Sequence, residues 1–244
     1  IENINASFSS DTIELKSNTT DEIRVVEYMS IEPEKDQLAQ VSTSGTTFSI
    51  RVGDRPMLFI RSKVEIYLPA DYDGSLSAET SSGSLRSDEN FTLKNVDFDT
   101  SSGSIRFNDI EANTIELNCT SGSIKAESVK INDSTKGKVN AESSSGSINL
   151  NEIVSDKIDL NTSSGSIRVD TINAIKPADG DVTIESTSGS IHISEIASDN
   201  IVMKTSSGSI NAGDIEGSHT LSSTSGSIRV ESATNSGSYE TSSG

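Results

Sequence analysis

The sequence predicts an all-β protein: a parallel β-solenoid, or right-handed β-helix, with about eight coils of 18–24 residues and an N-terminal β cap. The motif Ser-Gly-Ser-Ile, or a near copy, recurs from Gly83 to Gly226 at glycine-to-glycine steps of 18 to 24 residues. Apolar residues alternate on both sides of each glycine, which predicts short strands with one buried face. A self-similar period of about 20 residues is typical of solenoids, whose repeats bury their apolar sides by stacking.

The N-terminal part of the chain lacks this repeat, and we expect it to cover one end of the stack. An open solenoid end would expose strand edges and core side chains. We therefore divide the chain into an N-terminal β-strand cap region, residues 1–70, and β-solenoid repeats, residues 71–244, continuous with the cap. The strands expected in the cap are Thr12–Lys16, Glu22–Tyr28, Thr46–Val52 and Met57–Leu68.

Each coil is expected to contain one strand after its glycine and one strand before the next. The second and fourth residues after the glycine are apolar in most coils, as in Ile105 and Phe107. The seventh and fifth residues before the next glycine are apolar too, as in Ile115 and Leu117. Like positions should stack in columns about 4.8 Å apart, and the crossover rule favours right-handed coils. The column two residues after the glycine contains Leu85, Ile105, Ile124, Ile148, Ile167, Ile191, Ile210 and Ile228.

The turn before each glycine is built from small residues. The third residue before the glycine is Thr, Ser or Cys in every coil, which predicts an inward column of side chains that bond to the backbone or to each other. Cys119 occupies this column, so we expect a small buried residue, with a reactive thiol as the alternative. The glycine itself is expected to take a positive φ, which other residues resist.

The third residue after each glycine is expected on the surface and is basic in most coils. The fifth residue after each glycine is also expected there and is often acidic, so a largely basic column and a largely acidic column should lie side by side. One interpretation is a solvated, self-compensating face that limits aggregation. The other is a ridge for a polyanionic ligand. The basic column contains Arg86, Arg106, Lys125, Asn149, Arg168, His192, Asn211 and Arg229.

Two coils are five residues longer than their neighbours, with the extra residues at one corner: Ile131–Lys138 and Ala174–Asp181. We call these the long corners. Loops that protrude from one edge of a solenoid are candidate contact sites, although insertions are also simply tolerated there. The candidate binding residues in and beside them are Lys130, Lys136, Lys138, Lys176, Asp179 and Asp181.

Charge and composition narrow the classes of partner. The net charge of −18 disfavours nucleic acid and anionic membrane surfaces, since both favour a basic protein surface. No stretch approaches the 18 apolar residues of a membrane span, so membrane attachment is expected only through an N-terminal anchor removed upstream of Ile1. A single cysteine excludes an internal disulfide framework.

The sequence contains none of the catalytic or metal-binding motifs HExxH, CxxC or GxSxG. A serine nucleophile needs a positioned base, and the two histidines, His192 and His219, cannot serve eight copies of Ser-Gly-Ser followed by Ile or Leu. We therefore expect no enzymatic activity, no cofactor and no metal site. A carbohydrate-active β-helix enzyme remains the alternative from a different class, and a pair of carboxylates clustered in a groove would support it.

The progression of strands before the first Ser-Ser-Gly-Ser resembles a bacterial family of β-strand-repeat domains labelled "putative adhesin". The segments that carry the resemblance are Asp11–Lys16, Ile23–Val26, Phe48–Val52 and Val64–Pro69, followed by the serial Ser-Gly-Ser-Ile copies. The resemblance covers essentially the whole chain. It implies a β-solenoid, often in the cell envelope and sometimes behind a membrane anchor, and it supplies no catalytic residues and no established function.

Together these observations predict a non-enzymatic, adhesin-like interaction scaffold at the bacterial envelope or cell surface, extracytoplasmic or membrane-anchored. The expected partner is a protein or a glycan of the envelope. The alternative is a membrane-tethered sensory or regulatory ectodomain of the same shape that binds another envelope protein.

Overall fold

The computed structural model describes residues 1–55, 62–132, 137–176 and 179–243. Secondary structure in these ranges consists mainly of β-strands, with a short 3-10 helix at Lys35–Gln37. The strands are β1 Asn3–Phe8, β2 Thr12–Asn18, β3 Arg24–Met29, β4 Gln40–Ser44, β5 Thr47–Arg51, β6 Ser62–Pro69, β7 Ser75–Thr80, β8 Leu85–Arg86, β9 Phe91–Thr92, β10 Asn95–Thr100, β11 Ile105–Ala112, β12 Thr114–Cys119, β13 Ile124–Ile131, β14 Lys138–Ser143, β15 Ile148–Val154, β16 Lys157–Thr162, β17 Ile167–Asn173, β18 Asp181–Ser186, β19 Ile191–Thr205, β20 Ile210–Ser223, β21 Ile228–Thr234 and β22 Gly237–Thr241.

The strands pair in parallel with the strand one repeat away, and this forms two stacks. Strands that follow a repeat glycine pair with one another, from β8 and β11 through β13, β15 and β17 to β19, β20 and β21. Strands that precede a glycine form the second stack, from β7 and β10 to the later halves of β19 and β20 and then β22. The all-β class and the largely parallel pairing predicted from the sequence are confirmed.

The core lies between the two stacks and consists of columns of aligned apolar side chains. Ile105 lies opposite Ile124, and both are fully buried, because the repeat register places like residues on adjacent strands. The rings of Phe98 and Phe107 stack across the core with centroids 4.7 Å apart. The isoleucine column is buried as predicted up to Ile210, whereas Ile228, in the last described coil, is only half-buried.

The repeat glycines do not take the positive φ that the sequence suggested; in the described ranges, the glycines with positive φ are Gly45 and Gly217. The reason for glycine is instead close stacking of the corners. A Cβ on Gly103 would overlap the backbone carbonyl oxygen of Gly83, and Gly122 stands in the same relation to Gly103. The expectation was wrong because conformational freedom and close approach both require glycine, and one sequence does not distinguish them.

The small residue three positions before each glycine joins neighbouring coils through its side chain. Thr100 Oγ1 donates to the carbonyl oxygen of Gly83 at 2.9 Å and accepts the N–H of Gly103 at 3.1 Å. We call this pair of bonds the corner hook. Cys119 forms the same hook with its thiol and is buried, as predicted. Burial raises the pKa of the Cys119 thiol.

The N-terminal strands extend both stacks and add antiparallel strands at the outer edge. Strand β1 lies between β5 and β7, and β2 lies between β6 and β8, all in parallel. Strands β3 and β4 then run antiparallel to β6 and β5. The expected strand Met57–Leu68 corresponds to β6 from Ser62 onward, and its first residues lie outside the described ranges. The domain boundary at residue 70 remains a prediction.

Candidate functional site

The strand register places both ends of the two long corners two strands apart along one edge. Lys130, next to the first corner, lies opposite Val154, which lies opposite Asn173, just before the second corner. Two strand spacings amount to about 10 Å. Lys136 and Pro177 lie outside the described residues, so the structure positions the stems of the corners and part of each loop.

Two of the candidate lysines are paired with carboxylates of the neighbouring coil. Lys130 Nζ lies 2.9 Å from Glu152, and this contact raises the pKa of Lys130 and lowers the pKa of Glu152. Lys138 Nζ lies 3.6 Å from Asp159. All four side chains are partly exposed, so these pairs can exchange for an external anion at little cost.

A buried carboxylate from the adjacent coil anchors the second long corner. Asp156 is 3% exposed; its Oδ1 accepts the N–H of Lys176 at 2.6 Å, and its carbonyl oxygen accepts the N–H of Asp181 at 2.7 Å. Within the described ranges, no donor reaches its second oxygen, Oδ2. The corner is thus tied to the stack at both of its ends.

The acidic candidates of this corner differ in their contacts. Asp179 is exposed, and its backbone N–H closes a turn on the carbonyl oxygen of Lys176 at 2.9 Å. Asp181 is exposed and accepts a hydrogen bond from Asn200 Nδ2 at 2.9 Å. The second corner therefore presents one lysine and two carboxylates to solvent, and it is less basic than the first.

A cluster of charged and aromatic side chains near the N-terminus was not found from the sequence. Glu65 on β6 accepts hydrogen bonds from Lys63 Nζ at 2.6 Å, Tyr67 OH at 2.8 Å and Tyr28 OH at 3.0 Å. These donors, Lys63 first, lower the pKa of Glu65 to about 2. Glu14 on β2 lies directly opposite Glu65.

A signal for this cluster was present in the sequence. The segments 12–16 and 63–67 both place a glutamate at the centre of an alternating strand, with charged or polar residues two positions away. Two strands whose solvent-facing residues follow the same order of charged and polar side chains are candidates for pairing side by side with the two glutamates opposite each other. The sequence did not show that these two strands pair, because Glu14 and Glu65 are 51 positions apart in the chain.

The two histidines lie in different environments. His192 lies opposite Arg168 and Asn211 in the outward column. His219 is buried, with Nδ1 2.9 Å from the carbonyl oxygen of Gly217 and Nε2 2.6 Å from Tyr239 OH. Because a carbonyl oxygen only accepts, Nδ1 donates to Gly217. His219 thereby ties β22 to β20.

Comparison with known proteins places the chain in a family. The model of the Toastrack DUF4097 family matches residues 1–176 and 128–244, which together span the whole chain. The chain belongs to the Toastrack DUF4097 family. Among solved structures, this Toastrack chain is similar to a putative adhesin from Bacteroides fragilis NCTC 9343, with 14% sequence identity, a TM-score of 0.37, and coverage of 98% of this chain and 91% of that chain. No curated protein matches it.

The family match supports the resemblance to a family of β-strand-repeat domains that the sequence indicated. Whether other Toastrack domains also contain the Ser-Gly-Ser-Ile repeat is not tested by this match, so that part stays a prediction. In the described ranges of this Toastrack chain, no group of three or more His, Cys, Asp or Glu side chains is placed to hold a metal ion. The same ranges contain no helix that is long and apolar enough to cross a membrane.

Proposed function

We propose that this Toastrack chain is a non-enzymatic, adhesin-like interaction scaffold at the bacterial envelope or cell surface. In this proposal it is a right-handed parallel β-solenoid of about eight coils, closed by the N-terminal cap of residues 1–70. The observation that carries the proposal is the stack itself. Each coil is joined to the next by two parallel ladders and a corner hook, which suits a molecule that holds surface groups at fixed spacing.

Hydrogen bonds between successive corners repeat as regularly as those between successive strands. Ser102 N–H donates to the carbonyl oxygen of Ser81 at 2.9 Å, and Ser121 does the same to Ser101. Backbone bonds of this kind recur at the following corners, up to Ser225 on Ser206. Since neighbouring strands are about 4.8 Å apart, a side chain repeated at one position defines a straight row of groups along the stack.

The proposed contact site of the scaffold is the edge that carries the two long corners. Each corner interrupts the regular repeat, and each is bonded to an adjacent coil: the first through the Lys130–Glu152 and Lys138–Asp159 pairs, the second through Asp156. The partner would be a protein or glycan of the envelope, held by the charged residues in and beside the corners: Lys130, Lys136, Lys138, Lys176, Asp179 and Asp181. On binding, Lys130 and Lys138 would release Glu152 and Asp159 and pair instead with anionic groups of the partner.

Co-sedimentation tests the scaffold role. The purified chain is mixed with cell-envelope fragments from the bacterium that encodes it, and the bound fraction is measured against protein concentration. We expect saturable binding that falls as salt is added, since exposed charges form the contact. A bound fraction no larger than that of an unrelated protein of similar negative charge would overturn the proposal.

A further inference from the structure

We propose that a second surface, near the N-terminus, binds an acidic polysaccharide: a linear polymer of sugars that carry carboxylates. Six cationic side chains, Lys16, Arg24, Lys63, Arg86, Arg106 and Lys125, define this surface, which we call the basic face. It differs from the long corners in residues and strand position, so it goes beyond the scaffold role proposed above.

Strand pairing brings these residues together from distant parts of the chain. Strands β3, β6, β2, β8, β11 and β13 are neighbours in that order. One row across them runs from Glu65 through Glu14, Arg86 and Arg106 to Lys125. A parallel row places Arg24, Tyr67 and Lys16 side by side.

The basic face is unusual in a chain of net charge −18. Three carboxylates lie beside these six cations, Glu14, Glu65 and Glu89, and the charges of all three favour the protonated form of Lys16. Glu14 takes three of the cations, with Lys16 at 2.6 Å, Arg86 at 3.0 Å and Lys63 at 3.5 Å. Glu65 takes Lys63 at 2.6 Å. The face therefore keeps a positive excess after its internal pairs are formed.

Three cations at the far side of the face form a like-charge ladder. Arg86, Arg106 and Lys125 lie directly opposite one another on consecutive strands. Arg106 and Lys125 are exposed, and no carboxylate of the described residues lies within 4.0 Å of either. Like charges opposite one another destabilise a sheet. The acidic column two residues along the strands is interrupted beside Arg106, where Asn108 stands, so an external anion is the natural counter-ion there.

The other side of the face carries the aromatic groups. Glu65 fixes the hydroxyl groups of Tyr28 and Tyr67, and Arg24 lies over the Tyr67 ring, 4.1 Å from its centroid. Lys63 lies 4.5 Å from the centroid of Tyr28, which remains 49% exposed. An exposed aromatic ring held beside cations offers an apolar surface to the C–H groups of a sugar and a charge to its carboxylate.

Serine hydroxyls beside the ladder favour a glycan over other polyanions. Ser84 Oγ accepts the N–H of Ser104 at 3.1 Å, and Ser104 Oγ accepts the N–H of Ser123 at 3.2 Å. Each hydroxyl keeps its own O–H as a donor for a sugar hydroxyl. Cations repeated at about 4.8 Å along the stack match a polymer with one acidic group on each pyranose unit, laid across the strands.

Binding of polygalacturonate, a polymer with a carboxylate on every sugar, tests the proposal by calorimetry. We expect the double variant Arg106→Gln/Lys125→Gln to bind about tenfold more weakly than the parent, from two lost exposed charge contacts. The matched control, Arg168→Gln/Arg229→Gln, removes two cations of the same column at its other end, and its affinity should stay within about twofold.

Three results would overturn the proposal: no binding of polygalacturonate by the parent, equal losses in the two double variants, or binding of polyglutamate as tight as binding of polygalacturonate. The last would show generic capture of polyanions. Neutral dextran should not bind. A chain with both long corners shortened should bind polygalacturonate as tightly as the parent. This variant therefore distinguishes failure of the basic-face proposal from failure of the proposed corner contact.

Discussion

The thiol of Cys119 donates to the carbonyl oxygen of Gly103 in the adjacent coil, with Sγ and O 3.1 Å apart. The same sulfur accepts the N–H of Gly122 at 3.0 Å. Ser143, in the next coil, forms the same two bonds with its hydroxyl. One small, buried side chain therefore bonds to a carbonyl oxygen of the preceding coil and to an amide of its own coil.

We expect Cys119→Thr to change the free energy of unfolding by less than about 0.5 kcal/mol, since threonine forms this hook in other coils. Cys119→Ala should cost about 1–3 kcal/mol, because it leaves a buried carbonyl and amide without their partner. Urea unfolding of both variants measures the difference. Equal stability of the two would mean that the hook contributes nothing.

The native Cys119 thiol should react slowly with a thiol-specific reagent. It is 4% exposed, and burial raises its pKa, so little thiolate forms at neutral pH. Labelling is followed with and without denaturant. Rapid, complete labelling of the folded chain would contradict this expectation.

A methyl group at a repeat glycine should be far more damaging than at the serine beside it. The Cβ of Gly165→Ala would overlap the carbonyl oxygen of Gly146, so the stacked corners would have to separate. We expect a loss of about 3 kcal/mol or more. The control is Ser164→Ala at an exposed position, expected to change stability by less than about 0.5 kcal/mol. If Gly165→Ala has the same melting temperature as Ser164→Ala, close stacking of the corners is not the reason that glycine occupies this position.

Ile167→Asp should cost several kcal/mol, of the order of 3–5, because it places an unpaired carboxylate in the fully buried isoleucine column. Arg168→Gln, at the next residue but on the exposed side, is the matched control. Thermal unfolding decides between them: an unchanged melting temperature for Ile167→Asp would be incompatible with the register of the core.

Glu65 should make stability depend on pH in the acid range. Its pKa is lowered to about 2 in the folded chain from an ordinary value of 4.5. A carboxylate with a lowered pKa contributes stability that is fully present above the unfolded pKa and is lost as pH falls from about 4.5 to about 2. Glu65→Gln should flatten this part of the curve of unfolding free energy against pH. The same slope in parent and variant would assign the acid sensitivity to other groups.

The repeat section was readable from the sequence because its contacts are periodic. Once Ile105 and Phe107 are assigned to one buried face, the same positions in each later coil follow, and the register repeats without long-range information. The role of Gly103 was misread because a glycine in a turn suggests a positive φ, whereas the spacing between stacked backbones becomes visible only when the coils are assembled.

The N-terminal part was less readable because its pairings span long and unequal distances. Ile4 on β1 lies opposite Leu76 on β7 at one edge of the strand and opposite Phe48 on β5 at the other edge. Nothing periodic marks these partners. The meeting of Glu14 and Glu65, and with it the basic face, depends on such a pairing, so the matching patterns of the two strands could not show that they lie side by side.

The most direct test of the scaffold proposal is the affinity for envelope fragments of a variant in which both long corners are shortened to the length of the neighbouring 19-residue coils. The deletions keep Ile131 and Ala174, the buried residues at the start of each corner, so we expect an unfolding midpoint close to that of the parent. If the long corners make the contact, the folded variant should lose saturable co-sedimentation. Binding as tight as that of the parent, by a variant of unchanged stability, would contradict the proposed contact site.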